Sequence, residues 1–443
     1  MSDKNTIESE ALQPSPVGQT RFQELAYRFR ERFSWKHTFA ALKYPNYKLW
    51  FIGQIISLFG TWMQTTAEGF LIFELTHSPL YLGYVGFATG IPSWFFMFYG
   101  GVVADRLPRR TVIVATQTAM MLLALILAVL TFTHTVQAWH IIALAFVLGI
   151  ANAFDAPARQ AFLLELVDKE NIVNAIALNS TMFNSARVLG PAVAGVVYAM
   201  FGPAWCFTFN GISFIGVIIA LKKMEFKNTY TIAKTKSAFA DVKEGLHYAI
   251  TQPMIRTLII LVAVINLFGI SFVTLIPAWA VTVLHGDATT NGIMQSARGI
   301  GALATALFIA TLGSSKYTYR LLTFGIFSFP VVLLLFASVH WLPASLLALV
   351  GTGGAIILIF NLSNAIIQNL VSDSLRGRVM SVYTFTSFGF LPIGALFIGV
   401  LADHLGEPLA VSICAGITLI FSILAWLYIH KIEKTSIVRN ITE

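Results

Sequence analysis

Long apolar runs dominate this chain, and short polar or turn-forming segments punctuate them. A helix needs about 20 mostly apolar residues to cross the hydrocarbon of a bilayer. Twelve runs meet that requirement, near 49–73, 80–102, 111–132, 139–162, 175–198, 204–222, 257–283, 291–313, 321–339, 342–370, 378–401 and 408–430. The first, seventh and tenth are long, which predicts tilt or an interfacial extension. The only long polar interruption, 223–255, separates six runs from six. Within it Phe239, Val242, Leu246 and Ile250 recur every three or four residues, the pattern of an amphipathic helix on the membrane face that links and braces the halves. The polar segment 1–20 reads as a disordered tail. Residues 21–41 mix aromatics with Arg at helical spacing, which fits a surface helix. The expected organisation is a tail (1–48), a six-helix bundle (49–223), a linker (224–255), a second bundle (256–430) and a short tail (431–443).

The two halves resemble each other. At an offset of 204 residues Gly149 meets Gly353, Leu166-Val167 meets Leu370-Val371, and Gly190 meets Gly394. At the same offset Gly195-Val196 meets Gly399-Val400 and Gly202 meets Gly406. A shared offset together with the six-plus-six pattern predicts two pseudo-symmetric bundles, a design that places a binding site between halves near the midplane.

Composition supports a bilayer as solvent. Of 443 residues, 56% are hydrophobic and 11% charged, against about 25% charged in a soluble domain. The net charge of +8 invites a nucleic-acid partner, but its distribution excludes one. Of 29 Lys and Arg, 27 fall in the tails and in alternate loops, all on one side of the twelve-span pattern. The intervening loops have none, and the other two, Arg187 and Arg298, lie inside spans. Basic loops stay cytoplasmic, so both termini are expected in the cytoplasm of a multi-pass protein of the bacterial inner membrane. Cys206 and Cys414 sit in apolar runs and read as small packing residues. The N-terminus shows no secretory signal pattern.

After the second span the chain reads Gly101-Val-Val-Ala-Asp105-Arg106-Leu-Pro-Arg109-Arg110. This resembles the signature of the major facilitator superfamily, with Pro108 where that family usually has glycine. Asn152-Ala-Phe-Asp155-Ala-Pro157-Ala-Arg159-Gln160, Asn184-Ser-Ala-Arg187-Val-Leu-Gly190-Pro191 and Arg376-Gly-Arg378-Val-Met380 resemble the branch holding enterobactin exporters and macrolide efflux proteins. The resemblance runs over nearly everything after Lys43. It implies the twelve-helix fold, export as the usual direction, and an Asp105 that faces the positive N-terminus of the eleventh span near Arg378. Gly190-Pro191 followed by Gly195 resembles the antiporter signature of the fifth span. Proline kinks a helix and small residues allow close approach, so this stretch is a gate or a kink that only packs. The matching loop of the second half, Gly313-Ser-Ser-Lys316, lacks the carboxylate, which predicts an asymmetric gate. The expected gating set is Gly101, Asp105, Arg106, Arg109, Arg110, Arg159, Gly190, Pro191, Gly195 and Arg378.

Ionisable groups inside a membrane are costly and point to function. By helical rise Arg187 lies about 18 Å and Arg298 about 20 Å from the basic edge. The resemblance implies that their spans, the fifth and eighth, face each other. Two guanidiniums at one depth suit an anionic group of a substrate; the alternative is a structural pair, Arg187 with Asp155 or Glu68. Glu68 shares a helix face with Gln64 and is the first candidate for proton coupling, unless it simply reaches the interface. Asp155 is the second, although its four-residue spacing from Arg159 favours a salt bridge or gate network. Asn184, Asn266, Asn361 and Asn364 are further candidate cavity residues; interhelical hydrogen bonds are their other reading.

No His-Glu-x-x-His, Gly-x-Ser-x-Gly or phosphate-loop pattern occurs, and an enzyme, a cofactor or a bound metal is not expected. The expected function is secondary export of a small amphipathic or anionic compound, of siderophore or drug class, driven by protons. A lipid or lysolipid carrier is the alternative. Partners are the small molecule, protons and membrane lipids, with no nucleic acid, and the protein is expected to be a monomer.

Overall fold

The computed structural model describes residues 39–225, 238–312 and 317–442, and the side chains among them except those of 98, 238–242 and 432–442. The expected tail and surface helix before 39, the stretch 226–237 and the Gly313–Lys316 loop lie outside the described residues.

Every regular element among the described residues is helical. The first half holds α1 (Pro45–Thr76), α2 (Pro79–Gly90), α3 (Pro92–Arg106), α4 (Arg109–Phe132), α5 (Ala138–Leu163), α6 (Ile172–Phe201) and α7 (Pro203–Lys223). The linker helix is α8 (Ala238–Thr251). The second half holds α9 (Pro253–Val264), α10 (Ile276–Thr282), α11 (Ala288–Leu312), α12 (Thr318–Ser338), α13 (Leu342–Leu370), α14 (Asp373–Leu405) and α15 (Glu407–Thr442). Proline occupies the first turn of α1, α2, α3, α7, α9, α10 and α13, where its missing N–H costs nothing and its fixed φ suits the helix.

Among the described residues nine helices are long and apolar enough to cross a membrane, and ten if the second span is counted across its 57° bend between Pro79–Met97 and Tyr99–Arg106. The two remaining members of the expected twelve are α1, 32 residues long, and α6, with 30. Both pack in the same bundle but carry more polar residues. The seventh span, Pro253–Thr282, is 30 residues long and changes its helical winding midway. It passes from α9 through a π turn (Ile265–Gly269) and a 3-10 turn (Ile270–Leu275) into α10. Exposed apolar side chains such as Leu347, Phe324 and Ile420 coat the bundle, as a lipid-facing surface requires.

The duplication is visible in the backbone. Gly202 and Gly406, 204 residues apart, both adopt positive φ (87° and 80°) and both donate to the carbonyl four residues back at 2.8 Å. Only glycine takes that conformation without strain. The close contacts between halves repeat too. A Cβ on Gly83 of α2 would lie 2.9 Å from the Ala395 carbonyl oxygen of α14 and 3.2 Å from Gly399. A Cβ on Gly292 of α11 would lie 2.3 Å from the Pro191 carbonyl oxygen of α6 and 3.1 Å from Gly195. Pro191 and Gly195 stand 204 residues before Ala395 and Gly399. Both contacts sit at the end remote from the basic loops. There Ser78 also donates to Asp403 across the halves at 2.5 Å, and Ala278 and Ala288 of the second half join the apolar cluster of the first. The remote end is closed.

Replacing Gly292 by Val inserts a side chain where 2.3 Å is available. Overpacking of this kind costs about 1–3 kcal/mol, here paid only while the remote end is shut. Labelling of a cysteine placed at Ser78 should therefore rise several-fold in the Gly292→Val variant, and unchanged labelling counts against the seal.

Candidate functional site

Gln54, Ser57, Thr61, Gln64 and Glu68 follow one another at three- and four-residue intervals along α1. That spacing puts them on one face, a polar stripe that explains why α1 is less apolar than its neighbours. The stripe is held from α5 and α7. Asn210 donates to Gln64 Oε1 at 2.6 Å, and Arg159 donates to Gln54 Oε1 at 3.2 Å. Gly60 lets α7 close in, since a Cβ there would lie 2.8 Å from both Asn210 Oδ1 and Ser213 Oγ.

Between these elements lies a cavity of about 390 Å³, lined by Gln54, Gln64, Asn152, Asp155, Arg159 and Asn210 among others. Asp155 is buried and accepts from Thr116 at 2.8 Å, from Gln117 at 3.2 Å and from its ion-pair partner Arg159. Of the two readings offered by its spacing, the salt bridge is formed. Gln54 is 1% exposed, and its Nε2 and Arg159 Nε have no hydrogen-bond acceptor. Glu68 lies one turn beyond the cavity, buried beside Gln64. Its neighbour Gly69 faces Pro277 of the other half, so Glu68 is level with the closed end.

Arg187 and Arg298 come together. Gly299 packs on Val188 and on the Arg187 carbonyl oxygen, 3.2 Å from where a Cβ would stand, so the two arginines flank one contact between α6 and α11. Arg298 is buried, and the Nε of each guanidinium lacks an acceptor. Among the described residues neither has a carboxylate within ion-pair distance, so the pairing of Arg187 with Asp155 or Glu68 is not formed. The Arg187 guanidinium sits over the Trp62 ring, 5.9 Å from its centroid, and Phe183 meets Trp62 edge-on at 5.8 Å. Gly190 faces Trp62 as well.

The other candidates scatter. Asn184 and Asn266 donate to carbonyls of their own helices, Ser180 and Val262, at 2.8 Å each. Asn361 is exposed on α13, and Asn364 accepts from Gln368 at 2.5 Å. Gln54, Asn210 and Trp62 were not among the candidates; a polar stripe continued along α1 would have flagged the first.

At the basic end the halves stand apart. Gly101 has nothing within 4 Å of a Cβ. Asp105 and Arg106 are exposed, and Asp105 makes no ion pair among the described residues. Arg109 pairs with Glu165 at 2.5 Å, while Arg110 donates to the Lys222 and Met224 carbonyls at 2.8 and 3.1 Å, bracing the end of α7. Pro108 has φ −56°, which proline provides, so the loop needs no glycine there. Asp105 is expected from the sequence to face the N-terminus of the eleventh span near Arg378; Arg378 binds Glu244 of the linker helix at 2.6 Å. Gly245 permits this, with the Arg378 carbonyl oxygen 2.5 Å from its virtual Cβ.

The Asp155–Arg159 pair anchors the floor of the cavity. Removing one partner of a buried pair costs about 3–5 kcal/mol. Arg159→Ala leaves Asp155 buried and should lower the unfolding free energy in detergent by roughly the lower figure, whereas Asp155→Ala, which frees a partly exposed cation, should cost less.

The transmembrane secretion effector family matches residues 36–440. The staphyloferrin A transporter of Staphylococcus aureus is 26% identical over 87% of this chain and 96% of its own length. The enterobactin exporter of Salmonella typhi is 23% identical over 91% of this chain and 97% of its own length. Among solved structures, a bacterial homologue of the human lysosomal transporter Spinster superposes with TM-score 0.68 at 13% identity, covering 87% of this chain and 97% of that one. With a bundle closed at one end, a polar cavity in its first half and a family match across almost its full length, this chain is a multi-pass membrane transporter belonging to the transmembrane secretion effector family of the major facilitator superfamily.

Proposed function

We propose that the protein is a secondary exporter of a small amphipathic or anionic compound, of the siderophore or drug class, working by alternating access in exchange for protons. The observation that carries this reading is the asymmetry of the two ends: glycine-seated contacts shut one, and the basic end is open with Asp105 unpaired. If basic loops face the cytoplasm, this is the loading conformation of an exporter in the bacterial inner membrane, with both termini inside. The relatives' names, a siderophore transporter and a siderophore exporter, support the substrate class.

In this reading the bundles 49–223 and 256–430 move as bodies, joined by the linker 224–255 and flanked by the tails 1–48 and 431–443. The substrate meets Arg187 and Arg298, with Gln64, Asn184, Asn266, Asn361 and Asn364 as polar lining. Glu68 carries the proton, since a carboxyl buried without a cation is stable only when it is neutral, and Asp155 serves the Arg159 network. Closing the basic end brings Asp105 to Arg378 as Glu244 lets go, with Arg106, Arg109 and Arg110 around it. Gly190, Pro191 and Gly195 guide α6 as the remote end opens. The protein acts as a monomer among membrane lipids.

Transport into proteoliposomes, with labelled siderophores and drugs tested with and without a pH gradient, examines this directly. A transported compound should accumulate only with the gradient. Glu68→Gln should abolish that accumulation and retain exchange without a gradient; gradient-driven accumulation at the wild-type rate would exclude Glu68 as the carrier.

A further inference from the structure

Burying an ion without a partner costs several kcal/mol, and this fold places a buried Arg298 and a half-buried Arg187, neither ion-paired among the described residues, at one helix contact. Arg187 and Arg298, like charges, stand on the two sides of one α6–α11 contact, neither Nε has an acceptor, and the acids nearest in the sequence pattern are engaged elsewhere. Asp155 is held by Arg159, Thr116 and Gln117, and Glu68 lies beside Gln64. The charges also ride on different halves. Arg298 belongs to α11, whose Gly301 and the facing Gly353 of α13 seat the two helices backbone to backbone: virtual Cβ atoms there lie 1.9 Å from the Val350 carbonyl oxygen and 2.0 Å from that of Arg298. Arg187 belongs to α6, where Trp62 of α1 lies under its guanidinium.

A lone cation over an aromatic face gains from the ring, but two adjacent guanidiniums need negative charge. Their planar forks match carboxylate and phosphate oxygens in pairs. A monovalent anion neutralises one of them; a compact anion of two or more charges satisfies both. The Trp62–Phe183 shelf beside Arg187 offers an apolar surface to whatever carries the anion.

We propose that the transported compound presents a multivalent oxyanion, carboxylate or phosphate, which bridges Arg187 of one half and Arg298 of the other, and that neutralising this pair is what permits the halves to change conformation. The proposal rests on the transport reading above and adds the substrate's charge and an interlock. In the empty carrier the half-buried Arg187 keeps contact with water; occlusion without the anion would strip that water away.

The test uses the purified full chain in detergent with citrate, pyrophosphate and acetate at equal ionic strength, and thermal unfolding as the readout. Citrate or pyrophosphate should stabilise the protein and acetate should not; which of the two is stronger separates carboxylate from phosphate recognition. Arg187→Gln and Arg298→Gln should each weaken the apparent affinity roughly tenfold or more. Arg298→Gln should also raise the melting temperature of the anion-free protein, because it removes a repulsion; a purely structural arginine would lower it. Equal effects of acetate and citrate, or variants that respond like the wild type, overturn the proposal. Spin labels on cysteines at Thr135 and Trp341, with Cys206 and Cys414 replaced by Ala, report the spacing of the remote ends of the halves. Opening on adding citrate or pyrophosphate supports the interlock. Opening on acidification without any multivalent anion overturns the interlock but leaves alternating access standing, whereas no opening under any condition overturns both.

Discussion

The structure depends on how closely two helix backbones can approach. At the remote end α2 meets α14, and α6 meets α11, with glycines where any side chain would strike a carbonyl. Lipid tails are as apolar as leucine, so burial of apolar surface does little to hold the halves together in a membrane; packing at short range does. Contacts of this kind are made fully or not at all, because a small gap forfeits much of the dispersion energy. That is why a seal built from glycines suits a transporter: it is firm when shut and has no long side chains to disentangle when it opens.

The polar residues serve the opposite need. In α1 the stripe from Gln54 to Glu68 turns away from lipid toward α5 and α7, and its hydrogen bonds to Asn210 and Arg159 satisfy part of its demand. What is left over falls at two places: Gln54 Nε2 and Arg159 Nε at the cavity, and the guanidiniums of Arg187 and Arg298 at the contact of α6 with α11. Unsatisfied buried groups are rarely tolerated in a core; these four are donors, while Gln117 Oε1 beside Asp155 is an acceptor without a donor. The four unmet donors call for oxygen acceptors.

Much of the fold was legible in the sequence because its signal is one-dimensional. Runs of apolar length fixed ten spans to within a few residues, though α14 and α15 extend past the expected ends as helices continuing beyond the hydrocarbon. The offset of 204 residues between glycines marked the duplicated interfaces, since close approach demands glycine wherever it occurs. The mid-helix positions of Arg187 and Arg298 followed from their places in the apolar runs. What was not legible depends on which helices meet. The change of winding in the seventh span was hidden, because Ile265–Leu275 is mostly apolar like its flanks. The roles of Gln54 and Asn210 needed the packing of α1 on α5 and α7. That Arg378 would hold Glu244 of the linker while Asp105 stood unpaired is a property of one conformation, and sequence is common to all of them.

The wedging of α11 onto α13 has a mechanical meaning. With its backbone clamped against Gly353, Arg298 cannot shift relative to its own bundle, while Arg187 is registered by Trp62 to the other. Any rocking of one body against the other changes the separation of these two cations. Their spacing is thus a coordinate of the relative position of the two bodies, one that registers motion as electrostatic energy.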